Sequence, residues 1–326
     1  MGEALDRLLD LLDLEQIELN IFRGRSPAER VQRVFGGQVA GQALVAAGRT
    51  VPADRPVHSL HAYFIRPGDP TVPIVYTVER VRDGRSFTTR RVSAIQHGKA
   101  IFTLSASFHL PEPGPVHARP MPSVPPPDAI EHSRDRLARL LGAELPREAL
   151  ENPFDLRYVG PLSIEAQRDP SLRTTQNMVW LRVDGELPDD PPRPESSSAP
   201  RPEAQANSAP RPEAQANSAP RPEAQANSAL LQVCLMTYAS DMTLLDTVLV
   251  GHGLSWLDGR TAGASLDHAM WFHRPFRADR WLLYAQESPI AYGARGLVRG
   301  EVFTAEGDLV VSVVQEGLIR SAPGSA

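Results

Sequence analysis

A carboxylate stands where an apolar side chain is expected. In the stretch "LLQVCLMTYASDMTLLDTVL", residues 230–249, Cys234, Tyr238, Leu245 and Val248 share one face at helical spacing, and Asp241 falls in the middle of it. Asp246 falls to the side, where water is expected. A buried, unpaired carboxylate costs roughly several kcal/mol, so such a group is paired, hydrogen-bonded or neutralised. Asp241 is therefore either the partner of an arginine or a working acid or base.

Other chemistries find little support. Cys234 is the single cysteine, which excludes an intramolecular disulfide and a cysteine zinc cluster. His58, His61, His268 and His273 do not fall at metal-ligand spacing with carboxylates and read as packed or surface residues. "FGGQVAGQ" lacks the Lys and Ser/Thr of a P-loop and the third glycine of a dinucleotide fingerprint. The 326 residues are 41% apolar with a net charge of −5 and no basic block, a soluble composition that argues against nucleic acid as a partner. The start, "MGEALDRLLDLLDLEQIELN", reads as an acidic amphipathic helix, not as a signal peptide. No apolar run approaches the ~18 residues that span a bilayer. A cytoplasmic protein without a membrane span is the expectation.

The elements that position Asp241 form a pattern that occurs twice. "RVFGGQVAGQALVAAGRTV" predicts a helix from Gly37 to about Gly48. Gly41 inside it implies close packing, such as a sheet wrapping the helix. "VHSLHAYFIRPG", "PIVYTVERVRDG", "SFTTRRVSAIQHG" and "KAIFTLSASFHL" are β-branched and aromatic strands separated by turns. A proline-rich linker, residues 111–150, ends in the charged helix "RDRLARLLGAEL". Then come a strand, "TTQNMVWLRVDGEL", the helix of Asp241, and four more strands. "YFIRP" at 63–67 matches "WFHRP" at 271–275, and Arg90/Gly98 matches Arg299/Gly307 at nearly the same offset. The expectation is an α+β fold made by internal duplication. Residues 1–110 and 151–326 are each a helix wrapped by an antiparallel sheet. The unit "APRPEAQANS" occurs at 199–208, 209–218 and 219–228. Its polar, proline-containing composition predicts a disordered surface loop over 196–229.

The segments "VFGGQVAGQAL", "SLHAYFIRPGD", "DGRSFTTRRVSAIQHGKAIF", "TYASDMTLLD", "LDHAMWFHRPFRADRWLLY" and "ARGLVRGEVFTAEGDLVVSVVQEGLIR" resemble the acyl-CoA thioesterase II family over nearly the whole chain. The resemblance implies a double hotdog fold and hydrolysis of fatty acyl-CoA to free acid and CoA without a cofactor. It implies an Asp, a Gln and a hydroxyl residue that together hold a water: Asp241 in "YASD", Gln315 in "VVQEG", and Ser265 in "ASLDH", where the family usually has Thr. Self-association is also implied. Gly37 and Gln38 are expected to occupy, in the first half, the place of "SD", so the first half lacks the carboxylate. Arg66, Arg90, Arg91, Arg274 and Arg295 are candidates to meet CoA phosphates, and Trp271, Phe272, Trp281 and Tyr284 to line an acyl tunnel. A hotdog enoyl-CoA hydratase, using Asp241 with His252, and a non-catalytic acyl-CoA-binding scaffold stay open as alternatives.

Overall fold

A computed structural model describes residues 2–27, 33–142, 145, 152–187 and 229–321. The triple repeat lies outside these residues. Helix α1, Glu3–Leu12, ends where its buried stripe Leu5, Leu8, Leu12 ends. The chain then turns into a short hairpin, β1 (Glu15–Glu18) and β2 (Ile21–Gly24). The expected helix through residue 20 is thus too long: Ile17 and Leu19 lie exposed and extend no helical stripe.

Helix α2, Gly36–Gly48, is followed by β3 (Val57–Phe64), β4 (Ile74–Asp83), β5 (Phe87–Gln96) and β6 (Lys99–His109). After the linker come α3 (Ser133–Leu141), β7 (Phe154–Tyr158), α4 (Ser163–Arg168) and β8 (Gln176–Val183). Helices α5 (Ala229–Thr243) and α6 (Asp246–His252) follow, then β9 (Thr261–Ser265), β10 (Asp267–Phe272), β11 (Leu282–Tyr292), β12 (Arg295–Thr304) and β13 (Leu309–Ser321). The strands form one sheet in the order β1-β2-β4-β5-β6-β3-β10-β13-β12-β11-β8-β7, with β9 paired to β13. The order β4-β5-β6-β3 is mirrored by β10-β13-β12-β11. The mirror lies at the antiparallel β3–β10 seam, where Tyr63 faces Asp267 and Leu60 faces Met270. The duplication is thus visible as topology. Its two matched glycines, Gly98 and Gly307, both close hairpins at positive φ.

Each half wraps a helix, and the two helices pack against each other. A Cβ on Gly37 would stand 2.3 Å from the Tyr238 carbonyl oxygen, and one on Gly41 3.3 Å from that of Cys234. A Cβ on Gly48 would fall against Leu230. Rising residue numbers on α2 meet falling numbers on α5, so the helices run antiparallel. The close packing read at Gly41 is real, but the neighbour is the other helix and α1 rather than the sheet. One apolar core runs through both halves and includes Leu44, Tyr76, Leu235 and Val298.

The linker is a strap. Met121, Val124 and Ile130 cover Trp180, Leu283 and Phe303 on the outer face of the second half, and the Trp180 indole N–H donates to the Pro125 carbonyl at 2.9 Å. The stretch Ala229–His252 is long and apolar enough to cross a membrane by length and composition, contrary to the sequence-based expectation. Here it is a mostly buried core element, broken into α5 and α6 at Leu244–Leu245.

Candidate active site

Asp241 sits in the last turn of α5, half-buried, on the face that carries buried Cys234 and Tyr238. Its Oδ1 accepts two hydrogen bonds. Ser265 Oγ donates from the end of β9 at 2.7 Å, and Gln315 Nε2 donates from the middle of β13 at 2.6 Å. The sheet delivers both: Ser265 pairs with Gly317 across β9–β13, two residues from Gln315. Gln315 is fully buried. The structure therefore brings together all three residues carried over by the family resemblance, 24 and 74 positions apart along the chain.

The other carboxylate oxygen faces the start of α2. A Cβ on Gly36 would lie 2.6 Å from Asp241 Oδ2 and 2.9 Å from the Phe64 ring. No side chain caps α2, whose N-cap residue is Phe35. Its first N–H groups therefore make an electropositive end close to the carboxylate. The expected correspondence of Gly37–Gln38 with Ser240–Asp241 does not hold. Gly37 is in the first turn of its helix and Asp241 in the last turn of its own. Antiparallel packing sets these opposite ends face to face, across the two halves, and no single-helix periodicity reveals that apposition.

Gly36, Asp241 and Ser265 form one wall of a cavity of about 460 Å³, with Gln315 buried behind it. Its apolar lining includes Phe35, Phe64, Phe102, Met242, Leu245 and Trp256, and Arg33 and Arg66 also border it. Of the candidate phosphate-binding arginines, only Arg66 borders this cavity. Arg90 is buried and tied to Asp83 and Thr50, while Arg91, Arg274 and Arg295 pair with Glu79, Asp308 and Glu316. Arg33, which no motif marks, also reaches the Gly263 carbonyl in the other half. None of Trp271, Phe272, Trp281 and Tyr284 lines the cavity. Trp271 packs edge-on against His61, and Trp281 lies under Arg157 and Arg182.

Asp246 is not at a watery side of the helix. The break at Leu244–Leu245 turns α6 so that Asp246 joins the cavity wall. It accepts from the Trp256 indole N–H at 2.5 Å and weakly from the Tyr158 hydroxyl at 3.5 Å. Loss of solvation pushes its pKa up to about 6, against the pull of those two donors. His268 is buried beneath the site. Its Nε2 lies 2.8 Å from Ser240 Oγ, and burial holds its pKa below 6.5. Among the described residues, no cluster of His, Cys, Asp and Glu is suited to hold a metal ion.

Two family models match the chain. One described as acyl-CoA thioesterase matches residues 212–318, and one described as acyl-CoA thioesterase N-terminal domain matches residues 25–109. The chain is 38% identical over 326 residues to acyl-coenzyme A thioesterase 8 of Homo sapiens, covering 96% of this chain and 88% of that one. The crystal structure of an acyl-CoA thioesterase II, TesB2, from Mycobacterium marinum is 39% identical, with a TM-score of 0.69 and 98% of both chains covered. A hot dog fold protein of unknown function from Alicyclobacillus acidocaldarius is 18% identical, with a TM-score of 0.69, covering 99% of this chain and 100% of that one. It shares the fold.

Proposed function

The chain belongs to the acyl-CoA thioesterase II family and is a thioester hydrolase acting on acyl-CoA; we propose that Asp241, Gln315 and Ser265 hold and activate the attacking water. The observation that carries this reading is the pair of hydrogen bonds converging on Asp241 Oδ1 at the cavity wall. They fix the carboxylate's plane and leave Oδ2 to accept a proton from water. A thioester needs little help with its thiolate leaving group. Its hydrolysis needs an oriented water and a stabilised oxyanion. Asp241 supplies the base. The uncapped N–H groups of Gly36 and Gly37 supply donors for the oxyanion, strengthened by the dipole of α2. Base and oxyanion donors then come from different halves, which gives each chain one site.

Ser265 acts as a donor that orients, not as a nucleophile. Its Oγ proton is committed to Asp241, and His268 is engaged with Ser240. The apolar cavity suits a fatty acyl chain, and the Arg33 and Arg66 cations suit the phosphates of CoA. The open sheet edges at β1 and β7 favour a homo-oligomer. A hydratase would require a histidine facing the cavity beside Asp241. His252 borders a separate depression with Tyr292 and Arg295, and His268, buried beneath the site, does not line the cavity.

The test is CoA thiol release across an acyl chain-length series, with wild type and Asp241→Asn in parallel. Asp241→Asn removes the base and keeps the shape, so turnover falls by ~100-fold or more. Near-normal turnover by Asp241→Asn would overturn the reading. Loss of the crotonyl-CoA enoyl absorbance would favour the hydratase, and binding of acyl-CoA without turnover by wild type would favour a scaffold.

A further inference from the structure

Gln315 can do its work only if its amide faces one way. With Nε2 toward Asp241 it donates; turned over, it sets a carbonyl oxygen 2.6 Å from a carboxylate oxygen. Something must hold it, and Asp241 engages only the Nε2 end of the amide.

Four buried side-chain N or O atoms among the described residues lack a hydrogen-bond partner in standard geometry. Two of them are Gln315 Oε1 and His268 Nδ1. They belong to neighbouring side chains. Ala269 pairs with Val314 across β10–β13, so His268 stands opposite Gln315, and both are at most 1% exposed. Gln315 is also close enough to His268 to favour the imidazole's charged form, as an acceptor at a ring N–H does. The two groups are thus in contact outside standard hydrogen-bond geometry, and the sense of that contact follows from the groups around it.

Two proton arrangements compete. The Ser240 hydroxyl contacts His268 Nε2 at 2.8 Å and the Thr237 carbonyl at 2.9 Å, and it has one proton. If it donates to Thr237, His268 carries its proton on Nε2, and a bare Nδ1 faces the bare Oε1 of Gln315 in a dry interior. Turning the amide to repair that clash would aim Oε1 at the Asp241 carboxylate. If Ser240 donates to Nε2, the ring proton sits on Nδ1 and points at Oε1, and Nε2 of Gln315 points at Asp241. Only this second arrangement satisfies an ionised Asp241.

We propose that His268, in its neutral Nδ1–H form set by Ser240, is a positioning residue that locks the Gln315 amide with its N–H toward Asp241. The inference rests on the proposed role of Gln315 at Asp241. His268 touches neither water nor substrate and acts through Gln315.

The experiment compares kcat and KM for His268→Phe, His268→Asn and His268→Gln, each also in a Gln315→Ala background, with Asp241→Asn as the reference. In His268→Phe the amide is released. kcat then falls ~10-fold with KM nearly unchanged, a split that a general loss of structure would not give. His268→Asn carries a donor near the place of Nδ1 and restores most of the loss. His268→Gln, whose donor reaches the place of Nε2, does not. With Gln315→Ala already present, His268→Phe adds less than ~2-fold. If His268→Phe does not fold, the order of Asn above Gln carries the test. Normal kcat in folded His268→Phe, equal loss in the Gln315→Ala background, or Gln above Asn would each overturn the proposal. If Asp241→Asn keeps its activity, the reading of the site itself fails first, and that failure is distinct.

Discussion

Replacing Gly36 by Ala adds a single methyl group at the point where the two halves meet. That methyl carbon would stand 2.6 Å from Asp241 Oδ2 and 2.9 Å from a Phe64 ring carbon. A tolerable contact is ~3.3 Å, so the carboxylate or the start of α2 must move by ~0.7 Å. Misplacing a reacting group by about 1 Å costs on the order of 100-fold in rate, so kcat should fall ~30- to 100-fold. Stability should change little. Gly36 is the first residue of α2 and adopts no positive φ, so alanine gains up to ~1 kcal/mol in helix propensity while the clash is taken by side chains. One residue later the balance reverses. A methyl on Gly37 meets the Tyr238 backbone carbonyl at 2.3 Å, and neither helix yields without the other. Gly37→Ala should lower the denaturant midpoint by an amount equivalent to ~1–3 kcal/mol. The assay pairs thiol-release kinetics with urea unfolding for both variants. Full activity in Gly36→Ala, or equal stability losses in the two, would refute the placement of Asp241 against α2.

Two further outcomes follow from the buried titratable groups. Asp246 titrates at about 6 in the folded protein against an ordinary 3.8, so the folded state binds more protons between those values. The stability it permits below pH 3.8 is lost as pH rises through 6. Full desolvation would make that loss ~3 kcal/mol, and screening by cavity water for a half-buried group reduces it to ~1–2. Asp246→Asn cannot ionise, so it should unfold at higher urea than wild type at pH 7.5 and lose that advantage at pH 4; the opposite order would refute the assignment. Cys234 is buried and its thiol pKa is pushed far up by desolvation. A chromogenic disulfide reagent should therefore find no thiol in native protein and one per chain in denaturant. Rapid native reaction would mean that α5 is not packed as described.

Asp241 was legible as an anomaly because helical periodicity alone set it on an apolar face. Gln315 and Ser265 carried no such mark. Alternation along β13 gives the burial of Gln315 but not its partner, β9 has no alternation to mark Ser265, and only the family resemblance singled the two out. Strands β3–β6, β8 and β10–β13 and their duplication were legible in β-branched runs and turn glycines, whereas β1, β2, β7 and β9, each only four or five residues long, were not. What failed was what depends on contacts between distant segments. The last turn of α5 meets the first turn of α2 because the helices are antiparallel, and no window of sequence contains both. Asp246 was misplaced because the break at Leu244–Leu245 falls within an unbroken apolar pattern and resets the register. Ala229–His252 is apolar and long enough to pass for a membrane helix, and its burial inside the protein distinguishes it. Arg33 was missed because a lone arginine before a helix has no periodicity to betray it.

The central claim is direct attack by a water held on Asp241. A single turnover with enzyme in excess over acyl-CoA in ¹⁸O-water tests it most directly, reading the label in both the released acid and the peptide containing Asp241. Direct attack places one ¹⁸O in the acid of the first turnover and none in Asp241. Label in the Asp241 carboxylate, or an acylated Asp241 or Ser265 trapped on the way, would show a covalent acyl-enzyme and contradict the account.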